Sequence, residues 1–140
     1  MPFEIVVTDT PDPPSREPIL PALMAFNEQA VGPAEFRPLG VLAKAVDGKT
    51  LGGLTGWTGW QWLFVQLFWL PEELRGAGLG SELLRRAEAE AMRRGCRAAW
   101  LDSFSFQAPE FYRRQGYEIF GVLDDYPPGH RRVFLKKTLV

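Results

Sequence analysis

Hydrophobic and polar positions follow two different periods near the start of the chain. Positions 3–8 alternate, which predicts a short strand, and the turn-forming residues at 9–14 end it. Apolar residues then recur at helical spacing, which predicts a helix over 18–30 that Gly32-Pro33 stops. Pro21 leaves the first residue of this helix undetermined, because proline removes a hydrogen-bond donor and clashes with the preceding turn.

The next pattern is that of a hairpin followed by a long apolar strand. Positions 39–46 and 49–57 predict two strands joined by Asp47-Gly48, a dipeptide suited to a two-residue hairpin turn with positive φ. Thr58-Gly59 is expected to make a second turn into a strand over 60–70. This run is rich in aromatic and β-branched residues, so we expect it to be central in its sheet and covered on both faces.

The most regular pattern in the chain is an apolar stripe at helical spacing, formed by Leu79, Leu83, Leu84, Ala87 and Ala91. The pairs Glu82–Arg86 and Glu90–Arg94 stand four residues apart on the opposite side, where we expect water. Gly95 is a good terminating residue. These features predict an amphipathic helix that ends just before Gly95.

Shorter apolar runs complete the chain. They predict a strand over 97–104, a short helix over 108–115, a strand over 117–122 and a last strand over 131–137, after the loop 124–130. The element order is strand, helix, three antiparallel strands, helix, strand, helix and two strands. This order predicts a mixed α/β sheet with helices packed on it.

A glycine-rich turn joins the long apolar strand to the amphipathic helix. Glycines at 76, 78 and 80 leave backbone N–H groups unshielded, and the first amides of a helix have no intrahelical partner, so main chain alone can hold a phosphate. Arg75 adds a positive charge at the mouth of the turn. Neither the P-loop nor the dinucleotide fingerprint matches this spacing. A tight strand-to-helix connection without a ligand is the alternative interpretation.

Composition narrows the class of protein. The chain has 140 residues, 46% of them hydrophobic, which predicts a single domain over 1–140. A net charge of −1 gives no long-range attraction to nucleic acid or to an anionic membrane, so we expect neither partner. Cys96 and His130, one residue of each type, are too few for a disulfide or a structural zinc site, so no metal is expected. The first residues lack a signal peptide, and a cytoplasmic location is expected.

Two motifs together resemble the GNAT superfamily of acyl-CoA-dependent N-acetyltransferases. The first is Arg75-x-x-Gly78-x-Gly80, and the second is Tyr112-x-x-x-Gly116-Tyr117. Their order and the element order of nearly the whole chain also agree with that family. The resemblance implies an α/β (α+β) fold with a mixed, mostly antiparallel central sheet, flanked by helices and splayed between its fourth and fifth strands.

The resemblance also implies that acetyl-CoA is the co-substrate, with its diphosphate on the glycine-rich turn and its pantetheine arm against the preceding strand. Ser105 stands where the family often has an asparagine that touches the coenzyme. The expected coenzyme-binding residues are Phe68, Leu70, Arg75, Gly76, Ala77, Gly78, Leu79, Gly80, Ser81, Ser105 and Tyr112.

The implied reaction is direct attack of a neutral amine on the acetyl thioester. Tyr112 matches the family position of the acid that protonates the leaving thiolate. The strand over 60–70 lacks the carboxylate that many relatives carry, so Asp102 is the first candidate for the base, followed by Glu28 and Glu35, with a water chain as the alternative. The expected acceptor-site residues are Glu28, Phe36, Trp57 and Tyr126.

The leading functional hypothesis is an acetyl-CoA-dependent N-acetyltransferase that acts on a small primary amine. A non-catalytic acyl-CoA-binding sensor and a protein or peptide N-acetyltransferase are the alternatives. A homodimer is the expected assembly, because dimers are common in the family that the chain resembles.

Overall fold

The computed structural model describes residues 1–11 and 18–140, which group into two units, Met1–Ala34 and Glu35–Val140. The first unit contains one helix, α1 (Ile19–Val31), close to its predicted bounds. Pro21 lies in the first turn of α1, where its missing N–H has no intrahelical acceptor in any case. The one-domain organisation stays a prediction.

The predicted strand at 3–8 is wrong, because these residues form no regular element. An alternating pattern shows that a segment is able to form a strand, but the segment becomes a strand only when a neighbouring strand pairs with it. Part of the predicted turn at 9–14 lies outside the described residues.

The second unit begins with an antiparallel pair, β1 (Arg37–Lys44) and β2 (Thr50–Gly59). Its connection has three loop residues, Val46 to Gly48, because the Ala45 amide bonds to the Lys49 carbonyl at 2.8 Å and the Gly48 amide to the Ala45 carbonyl at 2.9 Å. Only Gly48 has positive φ, at 89°. The predicted two-residue turn at Asp47-Gly48 is therefore wrong, and a three-residue loop ending in a left-handed glycine takes its place.

A two-residue turn occurs instead between β2 and β3 (Trp62–Trp69). Trp60 and Gln61 both have positive φ, 46° and 66°, and Gly59 still pairs with Trp62, so the turn predicted at Thr58-Gly59 lies two residues too early. A Cβ on Gly59 would lie 2.3 Å from the Phe36 ring, so this glycine admits a close aromatic contact within the strand.

One residue of β3 interrupts its pairing with β2. Thr55 pairs with Leu67 and Gly56 with Val65, which leaves Gln66 as a β-bulge. The predicted central position of this strand is confirmed by the sheet order β1-β2-β3-β4-β6-β5. The prediction that both faces are covered is wrong, because the side chains of Leu67 and Trp69 are 64% and 60% exposed.

The sheet opens between β3 and β4 (Ala98–Phe104). These parallel strands pair only over Trp62–Phe64 and Ala98–Trp100, and no pairing continues toward Trp69 and Phe104. The predicted splay is thus confirmed for these two strands, which would be the fourth and fifth if the first predicted strand existed. The opening forms a slot bordered by main chain on both sides.

Helix α2 (Leu79–Arg93) packs on one face of the sheet, against β1, β2 and β3. Its predicted end is confirmed, because Gly95 has φ +88° and the Cys96 amide bonds back to the Ala91 carbonyl. Helix α3 (Pro109–Arg114) and the antiparallel strands β5 (Glu118–Asp124) and β6 (Arg131–Thr138) complete the unit. No helix in the described part of the chain is long and apolar enough to cross a membrane.

Two charged residues, Glu88 of α2 and Arg94 just after its end, lie in places that the sequence pattern did not indicate. Arg94, predicted on the wet side, keeps its bond to Glu90 but its side chain is only 13% exposed and donates to the Pro38 carbonyl and the Thr58 hydroxyl. Glu88 is buried between the apolar positions of the helix. Both residues are therefore part of the packed interior of the second unit.

Candidate active site

The glycine-rich turn has the geometry of an anion cradle. Gly76 and Gly78 have φ of 83° and 84°, a conformation that favours glycine, and no atom lies within 4 Å of the position of a Cβ on either. Gly78 caps α2 without a side-chain hydrogen bond. Within residues 1–11 and 18–140, no backbone amide from 76 to 81 donates a hydrogen bond, so this run of N–H groups has no partner from the protein.

Gly80 has a packing role, unlike the two glycines before it. A Cβ at this position would lie 3.4 Å from Cζ of Phe111, so the glycine lets the first turn of α2 approach α3 closely. A side-chain hydrogen bond joins the same two helices, from Gln115 Nε2 to Ser81 Oγ at 2.9 Å. The turn is therefore held against the helix that carries Tyr112.

Arg75 is bound to the end of β3 instead of standing free at the mouth of the turn. Its Nε donates to the Leu70 carbonyl at 2.7 Å, and its guanidinium lies 5.9 Å from the centre of the Trp69 ring. The Leu70 side chain is buried in the core. The coenzyme-binding roles of Arg75 and Leu70 stay predictions, and the structure gives both residues a bracing role across the turn.

Tyr112 lies on α3 with its ring in the core, beside the slot. The rings of Phe68, Phe111 and Tyr117 surround it, with centroid separations of 6.2, 5.2 and 6.1 Å. Its hydroxyl makes no hydrogen bond with a described residue. Burial, with a smaller contribution from the charge of Asp102, raises the pKa of Tyr112 to about 12. The phenol therefore keeps its proton at neutral pH.

Asp102 lies on β4 but is already engaged in an ion pair. Arg132 Nε donates to Asp102 Oδ1 at 2.9 Å, with side chains that are 28% and 17% exposed. Asp102 Oδ1 therefore already accepts a charge-assisted hydrogen bond within the fold. This contact weighs against the predicted role of Asp102 as the base.

Ser105 extends the pairing of β4 with β6. Its amide donates to the Arg131 carbonyl at 2.7 Å, and its hydroxyl accepts a bond from the Arg131 amide at 3.0 Å. A coenzyme contact from Ser105 stays a prediction without support from this geometry.

The residues expected around the acceptor lie in separate aromatic contacts. Phe36, next to Glu35, packs on Trp60 at the tip of the β2–β3 hairpin, with ring centres 5.5 Å apart. Trp57 lies 4.7 Å from Phe64, at the vertex of the slot, and Tyr126 lies 5.8 Å from Phe104. The contacts among described residues of the second unit do not join these three side chains into one wall.

Two further predicted residues have no observed role at the slot. Glu28 belongs to α1 in the first unit, and its acceptor role stays a prediction. Glu35 is exposed, with φ of 57°. In the described part of the chain, no group of three or more histidine, cysteine, aspartate or glutamate side chains could hold a metal ion.

Sequence reasoning missed three features near the slot. Arg132 and Gln115 were assigned no role, although each contacts a predicted site residue across the fold. The third feature is a buried network in which Tyr117 and Lys137 both donate to Glu88, at 2.8 and 2.9 Å. Glu88 did carry a signal, because its position falls on the apolar stripe of α2.

The family comparison agrees with this geometry. Residues 4–117 match the acetyltransferase (GNAT) family, whose members use acetyl-CoA. The chain is 45% identical over 123 residues to blasticidin-S acetyltransferase from Streptomyces morookaense, covering 85% of this chain and 89% of that protein. It is 35% identical over 135 residues to acetyltransferase Atu2258 from Agrobacterium fabrum, covering 96% and 98%.

Solved structures show the same relationship. The structure of an acetyltransferase from Bacillus cereus matches with a TM-score of 0.86 at 33% identity, covering 96% of this chain and 97% of that chain. The chain therefore belongs to the acetyltransferase (GNAT) family and is an N-acetyltransferase.

Proposed function

We propose that this chain transfers the acetyl group of acetyl-CoA to a primary amine of a small molecule, by direct attack within a ternary complex. The observation that carries the proposal is the run of amides from Gly76 to Ser81 that have no partner among the described residues, beside an open slot and the Tyr112 phenol. Blasticidin-S acetyltransferase, at 45% identity, supports an antibiotic-like amine as the acceptor class.

The residues of the turn fit a diphosphate. Amides at the head of a helix favour an anion through their partial positive charge and their free hydrogen-bond donors. The main chain of β3 beyond Phe64 has no partner in β4 and is available for the amides of the pantetheine arm. When bound, acetyl-CoA supplies an activated acetyl thioester, and the protein supplies its position.

Tyr112 acts as the acid in this proposal. Its phenol is protonated at neutral pH, which supports a role in which it gives a hydrogen bond, and then a proton, to the departing sulfur. Because Asp102 is paired with Arg132, the proton of the incoming ammonium leaves through water in the slot instead of to that carboxylate.

Calorimetric titration with acetyl-CoA and coenzyme A, followed by an amine panel, tests the proposal. The panel contains blasticidin S, simple primary amines and short peptides, with thiol release and product mass as readouts. Micromolar coenzyme binding and an N-acetylated small amine are expected. Absence of coenzyme binding would overturn the proposal, and acetylation of peptides alone would overturn its acceptor class.

A further inference from the structure

One side-chain hydrogen bond connects the head of α2 to the end of α3. Gln115 Nε2 donates to Ser81 Oγ at 2.9 Å, and both residues are half-buried. The Gln115 backbone is fixed as well, because its amide donates to the carbonyls of Phe111 and Tyr112 at 3.2 and 3.0 Å. Gln115 therefore reaches Ser81 from a rigid position immediately after the tyrosine helix.

The direction of this bond determines what the Ser81 hydroxyl can do. A serine hydroxyl has one proton to donate, and a hydroxyl that accepts from an amide N–H keeps that proton for another acceptor. Among the residues that the structure describes, Ser81 Oγ donates to none. Ser81 is the third residue of α2, so its hydroxyl belongs to the same helix end as the unpartnered amides.

We propose that Gln115 is a positioning residue that orients the Ser81 hydroxyl as a donor to a phosphate oxygen of the coenzyme. The inference rests on the proposed function, because the phosphate comes from acetyl-CoA. In this role Gln115 acts on the coenzyme through Ser81, which its side chain contacts.

Two substitutions at position 115 separate orientation from simple contact. Gln115→Met keeps the length of the side chain but has no donor, and we expect its Kd for coenzyme A to rise about tenfold, the value of one hydrogen bond to a charged group. Gln115→Glu accepts the Ser81 proton instead of donating to the hydroxyl, so a larger rise is expected. KM for acetyl-CoA should rise in parallel, with kcat and KM for the amine unchanged.

A double-mutant cycle with Ser81→Ala identifies the route of the effect. In the Ser81→Ala background, Gln115→Met should cause no further loss of coenzyme affinity. S-acetylpantetheine, which lacks the diphosphate, serves as the control donor, and its KM should be the same for wild type and Gln115→Met. Circular dichroism and Tm establish that each variant is folded.

Three results would overturn the role of Gln115. They are wild-type coenzyme affinity in Gln115→Met, an undiminished loss in the Ser81→Ala background, and an equal loss with S-acetylpantetheine. Wild-type protein that binds no coenzyme A would instead overturn the proposed function, so the two failures are distinguishable.

Discussion

Arg132 donates a hydrogen bond from Nε to Asp102 Oδ1 at 2.9 Å, and this contact joins β6 to the strand that borders the slot. The guanidinium also lies 5.3 Å from the ring centres of Phe104 and Tyr126, and 5.4 Å from that of Phe134. Arg132 thus fixes the charge of Asp102 near Tyr112 and anchors the loop between β5 and β6. Asp102 is part of the electrostatic surroundings of the acid.

Asp102→Asn should lower kcat by less than about tenfold, because general base catalysis contributes a hundredfold or more and is not assigned to this residue. Removal of the carboxylate charge also lowers the pKa of Tyr112, because that charge raises it in the native protein. Steady-state kinetics and an alkaline absorbance titration of the tyrosines measure both effects. A loss of kcat beyond a hundredfold would identify Asp102 as the base after all.

Tyr112→Phe should lower kcat by about a hundredfold or more, since the variant has no proton for the leaving sulfur. Coenzyme affinity and Tm should change little, because the hydroxyl makes no hydrogen bond within the part of the chain that is described. The pKa of Tyr112 is raised to about 12, so the wild-type kcat profile should show no alkaline limb from this residue below about pH 11. A variant with wild-type turnover would rule out the acid role.

Gly78→Ala and Gly95→Ala form a matched pair at the two ends of α2. Both glycines have similar positive φ, 84° and 88°, with open space at the Cβ position, so each substitution should cost about 1–2 kcal/mol of stability. Only Gly78→Ala places a methyl group and a strained backbone at the anion cradle. Calorimetry should therefore show weaker coenzyme binding for Gly78→Ala alone, and equal losses of affinity would contradict the proposed phosphate site.

Tyr117→Phe should reduce the sensitivity of the fold to alkali. Burial, together with the neighbouring Glu88 carboxylate, raises the pKa of Tyr117, whereas an unfolded tyrosine ionises near pH 10. Above pH 10, unfolding therefore releases a proton. The free energy of unfolding then falls by about 1.4 kcal/mol per pH unit for each such tyrosine. Tyr112 behaves in the same way, so the variant keeps the contribution of that tyrosine.

Urea unfolding between pH 8 and pH 11 measures this difference. Tyr117→Phe should be less stable than wild type at pH 8, because Glu88 loses a buried donor. The gap between the two proteins should then narrow as the pH rises above 10. Parallel curves across this range would show that Tyr117 is not a source of the alkaline instability.

Local patterns predicted the elements that depend on local physics. The stripe of α2, its end at Gly95 and the turn at Gly76 and Gly78 follow from helical spacing and from backbone conformations that favour glycine. The two family motifs then indicated which strand and which tyrosine border the slot. These features are encoded within a few residues of where they act.

The features that sequence reasoning missed depend on contacts between distant segments. Trp60 and Gln61 form a turn with positive φ although neither residue favours it, and the adjoining Gly59 is in the strand, where Phe36 packs against it. Asp102 and Arg132, 30 residues apart, meet only because β4 and β6 are neighbours. The spacing of residues along the chain does not indicate such pairs, so the sequence analysis did not predict the ion pair of Asp102.

The extra residue at Gln66 decides which aromatic side chain meets the tyrosine helix. Leu63 and Val65 face the core, and strict alternation would make Leu67 the next inward residue. The bulge reverses the order after Val65, so that Phe68 turns inward to Tyr112 and Leu67 turns out. Deletion of Gln66 would exchange inward-facing and outward-facing side chains along the end of β3. One inserted residue thus determines which side chains line the core beside the slot.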